Sequence, residues 1–522
     1  MRLLKSTAII GSLTLLSRIL GLVRDVLIAR FLGAGLVSDA FFTAFKLPNV
    51  FRRMFAEGAF NAAFVPLYAR RIEEEGEAAA DEFAKEAMAA LFVLVAGIVI
   101  LFELTMPWSL SIIGYGLDRA VDTQTGISPY YLAVVYAQIT MPYLIFMSMT
   151  ALFSGVLNTR NHFALAAAVP IVLNIFMISA LFAAGLAEWS QKLIGYFLAL
   201  AITLSGIVQM GLVIWGCRKA GVKVGFKRPR LTPGVKRLVV LGVPGLLSAG
   251  ITQINLLVSH SIATMQKGAA SWLTYADRLY QLPLGMIGIA MGVALLPALS
   301  RRLRAGDQTG AKTTLNRAIE IAAFLTLPAA FALAVIPQFL ISGLFERGAF
   351  TAQTTAQVAL ALRMFAYGLP AFVLLKILTP AFFAREDTKT PMIFAAVSAF
   401  INVTLGVYLF FSIGFYGLAL ATSVAAWVNV ICLGWLLLRD KRFVPDARLH
   451  SRVPRIALAS GVMAATLAAI VPVMTKYLTG HFGKDFLVLG IACGAGFVIY
   501  AAAAALLRAF NMSDIRDALK RS

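Results

Sequence analysis

The sequence predicts an all-α polytopic membrane protein of fourteen spanning helices, and three observations carry that expectation. Of its 522 residues 60% are hydrophobic and only 14% charged, with a mean hydropathy of +0.83. Water-soluble domains hold roughly 45–50% apolar and about 25% charged residues, so the solvent for this excess is a lipid bilayer. The apolar residues fall in long runs, and a spanning helix needs about 20 of them. The basic residues, 46 against 25 acids, gather between alternate runs. In a soluble protein a net charge of +21 would suggest nucleic acid as partner; here it reports topology, and no nucleic-acid partner is expected.

The first run, near 6 to 31, follows a basic start, Met1 to Lys5, but carries Arg18, Arg24 and Asp25 and offers no cleavage site. It reads as a retained helix, not a signal peptide. The second, near 36 to 66, is interrupted by charges and by Pro48. Spans near 83 to 107, 129 to 158, 163 to 187 and 191 to 216 follow, and a seventh near 237 to 262 comes after a strongly basic stretch. The eighth, near 271 to 300, opens with Asp277 and Arg278. Spans near 314 to 344, 354 to 384, 390 to 412 and 415 to 438 complete a second set of six, and two more lie near 453 to 478 and 486 to 510.

Charge tests this count. With both termini cytoplasmic, the inner segments hold 31 basic residues and the outer ones 7. Such a bias under strict alternation is what the positive-inside rule expects of fourteen spans.

An internal repeat divides the chain. A shift of 228 residues aligns Pro142 with Pro370, Ala167-Ala168-Val169 with Ala395-Ala396-Val397, and Asn174 with Asn402; a shift of 235 aligns Gly33-Ala34 with Gly268-Ala269 and Leu47-Pro48 with Leu282-Pro283. Six helices per unit is even, so the two lobes share one orientation and are related by a pseudo-two-fold axis along the membrane normal. The expected organisation is an N-terminal lobe over 1–217, a cytoplasmic basic linker over 218–236, a C-terminal lobe over 237–440, and two extra helices with a cytoplasmic tail over 441–522. Two six-helix lobes with a site between them is a transporter plan.

Ionisable groups inside spans cost some 2.5–3.5 kcal/mol or more at a helix centre, so each is a candidate functional residue. In the first span, residues seven apart differ by about 20° around the helix, which sets Ser17 under Arg24 and Arg18 under Asp25, with Gly21 between them. Asp25 can neutralise one arginine but not both. In the second span Asp39, Lys46, Arg53 and Glu57 share a stripe, Asn49 flanks it, and Arg52 lies roughly 120° away unless the Pro48 kink turns it inward. Arg278 gives the second half its own cation, about seven residues or on the order of 10 Å from the outer end. Arginine suits phosphate because its planar fork donates two hydrogen bonds and stays protonated. The cavity these residues define therefore wants an anionic, phosphate-bearing substrate. Glu103, Arg363 and Lys376 are read as packing or interfacial charges.

Other chemistry is not signalled. Gly33-Ala34-Gly35 lacks the third glycine of a dinucleotide loop, and there is no Walker A or HExxH motif. Four scattered histidines and three separated cysteines, Cys217, Cys432 and Cys493, give no metal cluster and no disulfide framework. Neither an enzyme nor a cofactor is expected. The spacing of Gly490, Gly494 and Gly496 allows tight contact with a helix or a lipid chain.

The stretch from Ser17 to Asp25, with Ser38-Asp39-Ala40-Phe41-Phe42, Phe45-Lys46-Leu47-Pro48-Asn49, Arg52-Arg53, Glu57-Gly58 and Phe64-Val65-Pro66, closely resembles the MurJ (MviN) family of lipid II flippases. The resemblance continues through Tyr275-Ala276-Asp277-Arg278 and Arg385-Glu386-Asp387-Thr388-Lys389 to cover the chain. It implies a member of the multidrug, oligosaccharidyl-lipid and polysaccharide exporter superfamily that moves lipid II from the inner to the outer leaflet of the bacterial cytoplasmic membrane. It further implies that Arg18, Arg24, Arg52 and Arg278 are the cavity arginines, that Asp25 sits with the diphosphate-binding group, and that spans thirteen and fourteen cradle the undecaprenyl tail. One departure stands out: where the family carries an acid three positions after the span-eight arginine, this chain has Gln281.

The expected partners are lipid II and membrane lipids, and the protein is expected to work as a monomer by rocking between two access states. With no nucleotide motif, its energy would come from a sodium or proton gradient, the membrane potential or product removal. The competing expectation is a flippase for another lipid-linked oligosaccharide, such as an O-antigen precursor.

Overall fold

The computed structural model describes residues 2–54, 60–118, 128–225 and 227–509, and among them the chain forms seventeen α-helices and no strand. It divides into two compact units, residues 1–271 with 348–350, and residues 272–347 with 351–522. Ten stretches among the described residues are long and apolar enough to cross a membrane, and they coincide with expected spans three to six and nine to fourteen. Their outward faces carry large apolar side chains, such as Leu104 and Trp108, or Phe400 and Phe411, all at least two-thirds exposed, as lipid-facing surfaces do.

The first unit holds α1 (Arg2–Leu32), α2 (Leu36–Arg52), α3 (Phe60–Glu75), α4 (Glu77–Ile113), α5 (Pro129–Thr140), α6 (Tyr143–Thr159), α7 (Phe163–Leu186), α8 (Gln191–Lys219) and α9 (Pro233–Ala263). Sequence sets the starts: Ser128 Oγ accepts from Tyr131 N ahead of Pro129, and Thr232 Oγ1 accepts from Val235 N ahead of Pro233. A side-chain cap followed by proline satisfies one orphan amide and removes another. α1 packs on α7, α7 on α8, α2 on α5, and α3 on α4 and α6. The core between α3 and α4 is aromatic, with Phe64 stacked on Tyr68 and on Phe83 at 5.6 and 5.7 Å between centroids.

The second unit holds the body of α10 (Ala269–Arg304), then α11 (Gln308–Val335), α12 (Pro337–Phe345), α13 (Ala352–Phe383), α14 (Lys389–Ile413), α15 (Tyr416–Arg439), α16 (Ala447–Thr475) and α17 (Phe482–Leu506). α13 packs on α15 and α11, α14 on α15, and α16 on α11 and α17. Of the α17 glycines at 490, 494 and 496, Gly496 meets Leu467 of α16, whereas a Cβ on Gly490 or Gly494 would meet nothing within 4 Å. The last two therefore line an open face.

The repeat is visible in backbone detail. Gly33 and its counterpart Gly268 both adopt positive φ, +63° and +85°, a conformation that costs glycine little and other residues more. Asp81 on α4 accepts from the backbone amide of Lys223 (3.0 Å), in the segment after α8. Its counterpart by the shift of 235, Asn316 on α11, holds the segment after α15 by donating to the Val444 carbonyl (2.9 Å) and accepting from Asp446 N (3.1 Å).

The helix that follows each of these segments docks the same way: α9 packs on α4, and α16 on α11. α9 is further held by Thr43 and His260 (2.9 Å), by Ser261 donating to the Ile112 carbonyl (2.6 Å), and by Gly116 N donating to Thr264 Oγ1 (3.1 Å). Compactness thus divides the chain one helix later than the repeat does.

Candidate functional site

On α1 the structure builds a compact charged group. Arg24 donates through Nε and Nη2 to Asp25 Oδ1 (3.0 and 2.7 Å) and through Nη1 to Asn174 Oδ1 on α7 (2.9 Å). Asn174 Nδ2 donates back to the Ser17 carbonyl (3.0 Å). The Asn174 amide lies over Gly21, where a Cβ would sit 3.8 Å from it, in ordinary contact. Arg24 is 8% exposed, while Arg18 and Asp25 are half-buried. Asp25 neutralises Arg24, as one carboxylate can, and Arg18 adds a second cation on the same helix. Asn174 marked the repeat in the sequence, but its hold on Arg24 was not expected from it. The available signal was an amide in an otherwise apolar run.

On α2, Arg52 Nε donates to Asn49 Oδ1 (3.2 Å), and Asn49 Nδ2 donates to the Phe45 carbonyl one turn back (3.1 Å). Pro48 lies inside this turn, and Arg53 and Met54 continue α2 as a wider π-type turn, so the backbone is irregular where the arginines sit. Arg53 is exposed and Lys46 half-buried; Glu57 lies outside the described residues. Asp39 is 1% exposed and engaged by backbone: it accepts from Gly268 N (2.6 Å), Ser271 N (2.8 Å) and Ser271 Oγ (2.5 Å) at the start of α10. A carboxylate that takes amide donors in a helix's first turn acts as its cap.

In the second unit Arg278 is half-buried on α10, between Tyr275, against Phe345 (5.5 Å), and Tyr280, stacked on Phe365 (4.8 Å). Gln281 donates its amide to Asp277, one turn back. An acid at 281 would set two carboxylates at i and i+4, and the glutamine replaces that repulsion with a hydrogen bond. Arg363 donates to the Ala334 carbonyl (3.0 Å), a packing role as expected.

Three polar clusters escaped the sequence reading because their partners are distant in the chain. Arg160 binds Asp81 (2.7 Å), Tyr68 (3.1 Å) and Glu77 (3.2 Å). Arg347 joins the Asp485 carboxylate (3.0 Å) and the carbonyls of Gly343 and Leu344, tying α12 to α17. Glu320 gathers Arg317, Arg448 and Arg452. In the linker, Lys227 reaches Glu82 (2.9 Å) and Glu86 (3.2 Å), which hold its ammonium above the ordinary lysine value. Among the described residues no group of three or more His, Cys, Asp or Glu is placed to hold a metal ion.

The fold, all-helical with Arg24 buried on its first helix, is like that of transporters of the MOP superfamily. The fold likeness includes an inward-facing multidrug resistance MATE family transporter of that superfamily, with a TM-score of 0.69 over 83% of this chain and 98% of that one, at 16% identity. The family is narrower: residues 28–492 match the lipid II flippase MurJ family, and the chain belongs to it. It is similar to the probable lipid II flippase MurJ of Rhizobium meliloti (strain 1021), 43% identical over 100% of this chain and 97% of that protein. The likeness extends to the probable lipid II flippase MurJ of Rickettsia prowazekii (strain Madrid E), at 34% over 98% and 99%. A solved lipid II flippase MurJ in an inward closed conformation matches with a TM-score of 0.77 at 26% identity, covering 95% of this chain and 98% of that one. The chain is accordingly a multi-pass transporter of the bacterial inner membrane and not an enzyme.

Proposed function

We propose that this protein moves lipid II, the undecaprenyl-diphosphate-linked peptidoglycan precursor, from the inner to the outer leaflet by alternating access through a cationic cavity. Family membership over nearly the whole chain is the observation that carries this reading. The relatives reported above carry the lipid II name, so a flippase for another lipid-linked oligosaccharide is not favoured.

Chemistry supports it. A diphosphate with a sugar-peptide head cannot cross hydrocarbon unaided, whereas its apolar tail can stay in lipid. Arg18, Arg24 and Arg52 of the first unit are the proposed diphosphate ligands, with Ser17, Asn49 and Arg53 beside them, and Arg278 is the second unit's cation. Asp25 orients Arg24, Asp39 fixes the turn that precedes α10, and Glu57 is assigned to the same group by its motif. The open face of α17 at Gly490 and Gly494 is the proposed tail cradle.

The arrangement in this reading is fourteen spans, two six-helix lobes and two further helices, with both termini cytoplasmic and a monomer as the working unit. Rocking of the lobes supplies alternating access. No cofactor enters, and a sodium or proton gradient or the membrane potential supplies the energy. The test is depletion in cells followed by a leaflet-accessibility assay: lipid II should accumulate facing inward, and unchanged outward exposure would reject the reading.

A further inference from the structure

The basic segment between α8 and α9 lies along α4 as a strap fastened at two places. Its first end is buried. Asp81, 4% exposed, takes the Lys223 amide on Oδ2 (3.0 Å), while its Oδ1 accepts from Arg160 (2.7 Å) and Tyr68 (3.0 Å). Val222, also buried, and Val224 line a small pocket with Met88, Phe153 and Val156. A buried carboxylate with amide, guanidinium and phenol donors, under apolar cover, makes this end an anchor.

The second end is a surface contact. Lys227 Nζ spans Glu82 (2.9 Å) and Glu86 (3.2 Å), one turn apart on α4, and Thr232 donates to Glu86 Oε2 (2.8 Å). The Lys227 and Glu82 side chains are 46% and 48% exposed. The same Thr232 hydroxyl accepts from Val235 N (3.4 Å) as the cap of α9, so the fastening reaches the helix that follows. An isolated surface ion pair contributes little. Among the described residues, however, Lys227 is the cation paired with Glu86, and neutralising it leaves that carboxylate beside Glu82 at i and i+4, a like-charge spacing. The second unit repeats the fastening with the charges exchanged: the shift of 235 that brings Asp81 to Asn316 brings Glu82 to Arg317, and Arg317 donates to Asp446, the cap of α16.

We propose that Lys227, with Glu82, Glu86 and Thr232, is a charge-operated latch: the strap stays anchored at Asp81 while its second end, with the first turn of α9, opens and closes on α4 as ionic strength changes. Salt screens the exposed ion pairs and leaves the buried anchor in place. The device goes beyond the transport reading and does not depend on which substrate is carried.

The experiment is amide hydrogen exchange on the full-length protein in a neutral detergent, read by mass spectrometry at about 0.1 M and about 1 M sodium chloride. The amide of Thr232, which donates to the Arg230 carbonyl, and those of Val235 and Lys236, which donate to Thr232, report the latch; the Lys223 amide reports the anchor. High salt should raise exchange at the first three roughly threefold or more and leave Lys223 unchanged. Lys227→Gln should show the raised rate already at low salt, with no further salt response. Lys227→Arg keeps the charge and should behave as wild type, as should Arg228→Gln at an exposed neighbour. Equal low-salt rates in wild type and Lys227→Gln would overturn the latch, as would a salt response that persists in Lys227→Gln. A rise at Lys223 matching that at Thr232 would overturn the two-part strap, because the segment would then leave as one piece. The salt comparison needs no variant, so absence of a salt response in the wild type overturns the proposal even where Lys227→Gln melts early.

Discussion

Asn174 accepts a hydrogen bond from Arg24 across 150 residues of sequence and, through the other end of the same amide, donates to the carbonyl of Ser17. One side chain of α7 therefore fixes both the guanidinium and the helix that carries it.

Arg24→Ala should abolish lipid II transfer in proteoliposomes while leaving the protein inserted and expressed, and Arg278→Ala should do the same. Lysine at either position should restore part of the rate, because a point charge cannot make the bidentate pair. Asn174→Ala removes one charged hydrogen bond, worth about 1.5–3 kcal/mol, and should slow transfer roughly tenfold. Wild-type initial rates in Asn174→Ala would remove the amide from the machinery.

Orientation is checked by labelling. Cysteines replacing Arg228 or Gln308, both exposed, should react with an impermeant reagent only from the cytoplasmic side, and one replacing the exposed Gln191 only from outside. Reaction of the Arg228 and Gln191 positions from one side would break the fourteen-span arrangement.

Asp387, in the loop before α14, accepts from Thr390 N (3.0 Å), and this amide above all, with Arg442 nearby, holds its carboxyl below the ordinary 3.8. A depressed folded value means that the stabilisation is fully present above about pH 4 and is lost as pH falls through the lowered value. Asp387→Ala should cost about 1 kcal/mol at pH 7, the usual worth of a helix-start acceptor. Its melting temperature should converge on wild type as the pH drops below 3.8. A gap that is constant from pH 7 to 3 would refute a carboxylate role.

Gly494→Arg places a charge on the open face of α17, at a cost of a few kcal/mol near mid-membrane. Transfer of long-chain lipid II should fall, while binding of a soluble, tail-free diphosphate head group should survive; Arg24→Ala should weaken that binding. Because a Cβ at Gly494 meets nothing within 4 Å, the packing cost is small, and thermal melting should show it. Equal loss of head-group binding in a well-folded Gly494→Arg protein would exclude a separate tail cradle.

The sequence made legible whatever depends on composition and short spacing. Long apolar runs announced the helices α4, α7, α8 and α11, and the isolated charges Arg24 and Arg52 announced polar groups within α1 and α2. It could not announce which partner each charge takes. Asp39 reads as one of a stripe of charges, yet its acceptors are filled by amides more than 220 residues away. Glu320 and Arg452, 132 residues apart, meet only because α16 folds back on α11. Hydrogen-bond partners of this kind are set by tertiary packing, and helical periodicity carries no record of them.

The paired docking of α9 and α16 bears on how the protein can be taken apart. The basic segment between α8 and α9, mostly exposed and without helix among its described residues, invites a cut, whether by protease or by dividing the gene. Its place in the structure argues against that choice. A break there would leave α9 attached to the wrong fragment and strip α3 and α4 of the helix that covers them, while the Asp81 side chain would lose the backbone it grips. Separate halves intended to fold on their own divide after Ser271, which keeps α9 with α3 and α4 and Asp39 with the groups it binds.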